Sequence, residues 1–149
     1  MNLTDPVRLL LKQKGHSVWH VSPEGCVYDA IELMAEKGIG ALMVVQEGML
    51  AGVVSERDYA RKVILQGKSS KDTPVKEIMS TPAISVTPDQ TVEDSMRIMT
   101  ERRIRHLPVV ENDQVVGVVS IGDLVRWMIS AQQHAISQLQ NYINSQYPA

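Results

Sequence analysis

Residues 52–58 read Gly-Val-Val-Ser-Glu-Arg-Asp, and residues 117–123 read Gly-Val-Val-Ser-Ile-Gly-Asp. The two segments lie 65 positions apart, and the same offset aligns residues 18–61 with residues 83–126 without a gap. Sixteen of the 44 aligned pairs are identical. Such an internal repeat indicates a fold built from similar parts. Because two copies are too few and too long for a solenoid, we predict a tandem pair of small subdomains.

The long helix of each copy is marked by its apolar spacing. Thr91-Val92-Glu93-Asp94 is a capping box, and apolar residues recur after it at positions 92, 96 and 99. The first copy repeats this stripe, with Cys26 at the position of Thr91. We therefore predict a helix in each copy and place Cys26 at a helix cap rather than at a catalytic site.

Short extended runs surround these helices. Runs 42–45 and 50–55, and their equivalents 107–110 and 115–120, are rich in β-branched residues and predict a hairpin in each copy. Segments 18–21 and 84–86 predict a further short strand before each long helix. Asp5-Pro6 and Thr73-Pro74 predict short helices with proline at the first helical position, ending near Leu11 and Met79.

The resulting fold class is α/β (α+β), with β-α-β-β-α order in each copy. We expect two repeats related by a pseudo-two-fold axis and packed sheet to sheet, followed by a C-terminal helix. The predicted boundaries are an N-terminal helix over 1–12, a first repeat over 13–72, a second repeat over 73–130 and a helical extension over 131–149.

Composition excludes several classes of function. The 149 residues carry a formal net charge of -2, which disfavours binding to nucleic acid or to an anionic membrane. One cysteine excludes an intramolecular disulfide and a Cys-rich zinc site. The four histidines lack metal-ligand spacing, so no metal is expected. Without a membrane-spanning run or a signal peptide, we expect a cytoplasmic protein.

The serine and aspartate that end both repeated segments allow two interpretations. In the first, each serine caps a helix and each aspartate complements the positive helix end, as Ser55 and Asp58 would do. In the second, the strand-to-helix junction is an anion site, and its carboxylate accepts hydrogen bonds from a ribose diol. The duplication at Ser120 and Asp123 favours the second interpretation.

A basic cluster precedes the second hairpin. Arg105 and His106 follow Ile104 at a helix-to-strand turn, where a guanidinium could hold a phosphate with two hydrogen bonds. A solvated basic helix end is the alternative. The first copy has Gly40-Ala41 at these positions, so Arg57 is its only obvious substitute. The two copies are therefore expected to differ in phosphate binding.

Two copies of a helix and hairpin, each ending in Gly-x-x-Ser-x-x-Asp, resemble a tandem pair of CBS domains (a Bateman module). The stretch 104–110, Ile-Arg-His-Leu-Pro-Val-Val, strengthens the resemblance, which covers about residues 6–128. The resemblance implies a cleft between the repeats that binds an adenosine compound such as AMP, ATP, NAD or S-adenosylmethionine. It also implies regulation of an enzyme or transporter, which here would be a separate protein or absent.

The same resemblance implies roles for individual residues. Asp58 and Asp123 would hold ribose hydroxyls, and Ser55 and Ser120 would bind ribose or phosphate. The remaining implied contacts are phosphate at Arg105, His106 and Arg57, and adenine at Ile84, Val86 and Ile104.

The leading hypothesis is a non-catalytic adenine-nucleotide sensor, and the alternative is a constitutive scaffold or interaction module. An enzyme ranks third, because no set of acid, base and nucleophile can be assembled. Beyond the repeat, apolar residues at 125, 128, 129, 136, 139 and 143 predict a helix with an apolar face. That face predicts a homodimer, or else packing back onto the chain's own sheet.

Overall fold

The computed structural model describes residues 1–146 and contains five α-helices and five strands within them. The helices are α1 (Val7–Lys14), α2 (Val27–Lys37), α3 (Glu56–Tyr59), α4 (Val92–Arg102) and α5 (Ile121–Gln146). The strands are β1 (His20–Val21), β2 (Ala41–Gln46), β3 (Met49–Ser55), β4 (His106–Glu111) and β5 (Gln114–Ser120). A π-helical turn, Ala60–Ile64, extends α3, and Val75–Glu77 forms a 3-10 helix. The mixed α/β class and the C-terminal helix are confirmed.

The strands form a sheet in the order β1-β2-β3-β5-β4. β1 runs parallel to β2, and β2 pairs antiparallel with β3 in a register that sets Leu42 opposite Val54. Both hairpins close through two residues with positive φ, at 47–48 and at 112–113. Positive φ at both positions is typical of type I′ turns, whose twist suits a tight hairpin. The predicted hairpins are confirmed, with loops shorter than the sequence indicated.

Two predictions about local structure are wrong. Segment 84–86 forms no strand, and only Val86 makes an isolated bridge there. Pro6 and Pro74 are N-cap residues with ψ of 149°, so each helix begins one residue later than predicted. Their extended conformation has a physical reason, because each proline makes a β-bridge, Pro6 with Thr91 and Pro74 with Cys26.

The first compact unit combines Met1–His16 and Val86–Leu107 with the described residues from Val119 to Gln146. Backbone hydrogen bonds join the beginning of α1 to the segment before α4: Val7 N donates to Gln90 O at 2.8 Å, and Val92 N donates to Asp5 O at 2.9 Å. Trp127 of α5 is buried, and its indole N–H donates to Asn2 O at 3.0 Å. The N-terminal segment therefore completes the fold of the second sequence copy.

The second unit comprises Ser17–Ser85 and Pro108–Val118. Its 3-10 helix plays the part of α1, since Val75 N donates to Gly25 O at 2.8 Å and Val27 N donates to Thr73 O at 2.9 Å. The buried core of this unit consists of Val27, Ala30, Met34, Leu42, Val44, Val54, Val63, Val75 and Ile78. The predicted sequence boundaries at 12, 72 and 130 stay a prediction.

Gly52, the first residue of the repeated motif, lies where the backbone leaves no room for a side chain. A Cβ at this position would be 2.7 Å from Ser80 O and 2.9 Å from Met79 Sδ. We expect Gly52→Ala to lower the free energy of unfolding by about 1–3 kcal/mol, because the backbone must shift to relieve the overlap. Urea unfolding followed by circular dichroism measures this loss.

Gly122→Ala is the matched control. Inside α5, its Cβ would lie 3.4 Å from the end of the flexible Arg126 side chain and 3.7 Å from Ser120 Oγ, and the latter is an ordinary van der Waals distance. Alanine favours a helix over glycine by about 0.4–1 kcal/mol, so this variant should be as stable as the wild type or more so. Equal stability of the Gly52 variant and the control would contradict the packing argument.

Candidate functional site

The first strand-to-helix junction is a complete capping box. Ser55 Oγ accepts from Asp58 N at 3.1 Å, and Asp58 Oδ2 accepts from both Ser55 N at 2.9 Å and Ser55 Oγ at 3.0 Å. Asp58 Oδ1 lies 3.3 Å from Lys62 Nζ. The first interpretation of this motif, a helix cap, is therefore confirmed here.

The second junction repeats the capping and adds cations. Asp123 N donates to Ser120 Oγ at 3.2 Å, and Ser120 N donates to Asp123 Oδ2 at 2.8 Å. Lys14 Nζ donates to Oδ2 at 2.5 Å, and Arg126 Nη2 donates to Oδ1 at 2.7 Å. Only 7% of the Asp123 side chain is exposed, against 15% for Asp58. The capping interpretation is confirmed here too, and the ribose role of both aspartates stays a prediction.

The environment of Asp123 favours its charged form. Burial raises the pKa of this carboxyl, but hydrogen bonds from Lys14 and from the backbone N–H of Ser120 outweigh it and hold the pKa below the ordinary 3.8. The carboxylate is consequently a fixed negative charge with little contact to solvent. Such a group can exchange its hydrogen-bond donors more readily than it can lose its charge.

The basic cluster lies beside this second junction. Ile121 N, at the start of α5, donates to Arg105 O at 2.9 Å, which fixes the backbone of Arg105 next to Ser120. The Arg105 side chain is exposed and His106 is half-buried. In the first copy, Glu56 N donates to Gly40 O at 3.0 Å in the same way. The structure thus brings Arg105, Ser120 and Asp123 into one region of the first unit.

The three predicted adenine contacts do not all lie in the unit that contains Asp123. Ile104 is half-buried and directly precedes Arg105 in the first unit. Val86 belongs to the same unit but is 1% exposed, so its side chain offers almost no surface to a ring. Ile84 and Arg57 belong to the second unit, with Ser55 and Asp58.

A cleft of about 290 Å³ opens beside Asp123. Its walls come from α1 and α5, and they consist of Leu10, Gln13, Lys14, Asp123, Arg126, Trp127 and Ser130. The second unit has a cleft of about 320 Å³ near its hairpin turn, but neither Ser55 nor Asp58 lines it. Asp123 therefore lines an open cleft.

Sequence reasoning missed Lys14, the cation closest to Asp123. The two residues are 109 positions apart, and no local motif connects them. The available signal was the second offset of the repeat, since Pro6-Val7-Arg8 matches Pro74-Val75-Lys76 at 68 positions rather than 65. The offset changes between residue 8 and residue 18, and the segment before this change is the one that packs with the second sequence copy.

Other candidate chemistry is sparse. Cys26 is the N-cap of α2, as predicted, and its side chain makes no cap hydrogen bond. Within residues 1–146 no three His, Cys, Asp or Glu side chains cluster as a metal site would require. Over the same range, no helix combines the length and apolar character needed to cross a bilayer.

Comparisons with known proteins agree with the motif. The CBS domain family model matches residues 16–64 and 75–130. A mitochondrial CBS domain-containing protein of Arabidopsis thaliana is 41% identical over 93% of this chain and 71% of its own length. The crystal structure of a protein with CBS domains from Burkholderia ambifaria has a TM-score of 0.81 and 50% identity, covering 85% of this chain and 96% of that one.

A third similar protein carries a bound nucleotide. A CBS domain protein of Pyrobaculum aerophilum, solved in complex with AMP, has a TM-score of 0.71 and 25% identity. The match covers 79% of this chain and 88% of that one.

The lowered pKa of Asp123 predicts a loss of stability in acid. A carboxyl whose pKa is depressed by folding adds stability above its unfolded pKa, and this stability is lost as pH falls through the folded pKa. We expect the free energy of unfolding to fall below about pH 4, and to fall less steeply in Asp123→Asn. Urea unfolding at a series of pH values measures both slopes.

Asp94 also has a lowered pKa, with the backbone hydrogen bond to Thr91 as the largest cause, but it is present in both proteins. The difference between the two curves therefore isolates Asp123. Parallel curves would show that the Lys14 and Ser120 hydrogen bonds do not stabilise its charged form.

Proposed function

The chain belongs to the CBS-domain family, and we propose that it is a non-catalytic regulatory module that binds an adenosine nucleotide. The class of ligand is that of AMP, ATP or NAD. The observation that carries the proposal is a buried, charged Asp123 at the wall of an open cleft, with cations on both sides of it. CBS-domain proteins are generally regulatory modules, which supports the regulatory part of the proposal.

Each side chain at this junction has a chemical role in the proposal. The Asp123 carboxylate accepts hydrogen bonds from ribose hydroxyls, and Ser120 adds a hydroxyl beside it. Arg105 and His106 hold phosphate from the neighbouring turn, while the half-buried Ile104 supports the adenine. The AMP complex of the Pyrobaculum aerophilum protein supports this class of ligand.

The first junction is proposed as the weaker site. Asp58 and Ser55 repeat the ribose-binding pair, but Gly40 and Ala41 stand where the second copy has its arginine and histidine. Arg57 is then the residue left to hold phosphate. Arg57 lies on α3, one residue before Asp58, whereas Arg105 lies at the turn before β4.

The alternative, a constitutive scaffold module, is favoured by one specific observation. Both Ser–Asp pairs already serve as helix caps, so their presence needs no ligand to explain it. The two functions differ in what the loss of Asp123 does to nucleotide affinity.

We expect AMP, ADP, ATP or NAD at about a hundred times its dissociation constant to raise the melting temperature by about 5–11 °C, since saturation stabilises by about 2.7 kcal/mol. Asp123→Ala should abolish most of this shift, because the ribose loses its acceptor. Differential scanning fluorimetry and isothermal titration calorimetry measure the two effects.

Asp94→Ala is a close control. Asp94 forms the same capping box with Thr91, and Arg97 three residues later bonds its Oδ1 at 3.2 Å, as Arg126 does for Asp123. Loss of this cap should lower stability and leave affinity unchanged. Nucleotide shifts that are absent from the wild type, or equal in both variants, would favour the scaffold.

We also propose that α5 pairs with a second copy of the chain. Every residue over 132–145 is exposed in the single chain, so the apolar face of this part of α5 is accessible to a partner. Ile129, Ile136 and Ile143 recur every seven residues, and Val125 and Leu139 take the other core position of that heptad. Residues 127–149 contain no Asp, Glu, Lys or Arg, so two identical helices meet without charge repulsion.

Ile136→Glu tests this pairing in the full chain. Ile136 is 56% exposed, so the substitution should leave the monomer folded but convert a dimer to a monomer by placing two like charges at the helix contact. Light scattering coupled to size-exclusion chromatography measures the mass. His134→Glu, which lies opposite the heptad core, is the control and should stay dimeric. An unchanged mass for Ile136→Glu would contradict the pairing.

The finer expectations follow from the same proposal. We expect a homodimer in the cytoplasm that regulates another protein. It would respond to nucleotide only if binding changes how the two repeats, or the two chains, pack together. This requires that the nucleotide bind one arrangement more tightly than the other.

A further inference from the structure

The helix that follows the first junction ends with two apolar side chains in solvent. α3 continues through the π-helical turn Ala60–Ile64 to Leu65, and Gly67, with a φ of 67°, ends the helix. The exposed fractions of Ile64 and Leu65 are 56% and 76%, whereas Val63 beside them is 1% exposed. One face of this turn therefore fills the core of the second unit, and the other presents two large apolar side chains to water.

Basic side chains flank this apolar pair. Arg61 lies four residues before Leu65, a spacing that places two side chains next to each other on a helix. The backbone N–H of Lys68 donates to a carbonyl of the last helical turn at 3.0 Å, which holds Lys68 close to the same turn. Residues 59–71 contain four Lys or Arg and no Asp or Glu. We define Arg61, Ile64, Leu65 and Lys68 as the basic-apolar patch.

The cations of this segment differ in how strongly the chain itself engages them. Lys62 is held within the unit, because its Nζ donates to Ile78 O at 2.9 Å. Arg61 is exposed, and Lys68 Nζ lies 4.0 Å from Glu77 Oε2 with about half of each side chain exposed. An exposed ion pair of this length contributes little to stability. Arg61 and Lys68 are therefore accessible to a partner.

Like charges argue against a second copy of the chain as the occupant of this patch. In a two-fold contact the same surface lies on both sides, so Arg61 and Lys68 would approach their own counterparts. The repeat supplies a contrast, because Ile129 of α5 stands 65 positions after Ile64 and is followed by no Asp, Glu, Lys or Arg. The same position of the repeat thus has uncharged residues after it where self-pairing is proposed, and basic residues around it here.

An anionic membrane also fits this patch less well than a protein segment does. The second unit carries eleven Asp and Glu against seven Lys and Arg, a net charge of -4. A bilayer surface is wide and would meet the negative field of the whole unit. A short acidic segment would contact the patch alone, where the local charge is positive.

We propose that the basic-apolar patch is a docking surface for an acidic, amphipathic segment of another protein. Apolar side chains of that segment cover Ile64 and Leu65, and its Asp or Glu side chains pair with Arg61 and Lys68. Burial of the two apolar side chains supplies affinity, and the flanking charges restrict the choice of partner. The inference adds a partner surface to the proposed regulatory function, and it does not depend on nucleotide binding.

Selection from a random peptide library displayed on phage, with the full chain as the target, tests the inference. We expect the enriched peptides to combine Asp or Glu with large apolar residues, and to bind the chain saturably in fluorescence anisotropy. Leu65→Ser should raise the dissociation constant by about tenfold or more, because an apolar side chain that the peptide covers is lost. Met49→Ser is the matched control and should bind as the wild type does, since Met49 is 50% exposed in the same unit but lies beside the acidic Glu47.

Charge variants test the second half of the inference. Arg61→Gln and Lys68→Gln should each weaken binding and reduce its dependence on salt, because one ion pair is lost. Lys76→Gln is the control, since Lys76 is an exposed lysine of the same unit outside the patch. Arg61→Glu should reject the acidic peptides, and a peptide with Lys in place of its Glu should regain affinity for this variant. Circular dichroism confirms that these surface variants are folded.

Each alternative has its own result. An absence of enriched peptides, peptides without an excess of acidic residues, or equal binding to the wild type and Leu65→Ser would overturn the inference. A lower mass of Leu65→Ser in light scattering would show that two copies cover the patch. Binding of the wild type, but not of Leu65→Ser, to vesicles that contain phosphatidylserine would assign the patch to a membrane, and either result would also overturn the inference. Failure of nucleotides to bind would contradict the proposed function alone.

Discussion

The start of a helix exposes backbone N–H groups that have no partner within the helix, and a strand that runs directly into a helix must satisfy them at once. In this chain a serine and an aspartate three residues later do so reciprocally, at Ser55–Asp58 and Ser120–Asp123. The requirement fixes a carboxylate at each junction, with its orientation set by the cap. Any chemistry at these junctions begins from that fixed charge.

The exchange of short segments between the two sequence copies determines the surroundings of each carboxylate. Because α1 pairs with the segment before α4, its last residue meets Asp123 rather than Asp58. A lysine at that end therefore makes the two junctions electrostatically different, although the repeated motif is nearly the same in both. Part of the asymmetry between the two junctions thus arises from a segment outside the aligned part of the repeat.

Local patterns were sufficient for most of the fold. Helical spacing and β-rich runs located α2, α4 and both hairpins, since these depend on residues close in sequence. The patterns failed at Pro6 and Pro74, where a long-range β-bridge keeps each proline extended. They also failed at 84–86, which does not pair with a neighbouring strand as β1 pairs with β2. Ser120 and Asp123 were predicted from the repeated motif and Arg105 from the basic cluster before the second hairpin. Lys14 could not be predicted, because only tertiary structure brings it beside Asp123.

The sequence suggests that each aspartate is either part of a helix cap or part of a ligand site. In the structure the two roles are compatible. An ionised carboxylate has two oxygens and about four acceptor positions. At Asp58 the cap uses only Oδ2, and Oδ1 lies near Lys62. At Asp123 the cap takes one hydrogen bond from Ser120, and further hydrogen bonds come from the side chains of Lys14 and Arg126. A cap of this kind orients the carboxylate and leaves acceptor positions unused by the cap, so capping is compatible with the proposed ribose role.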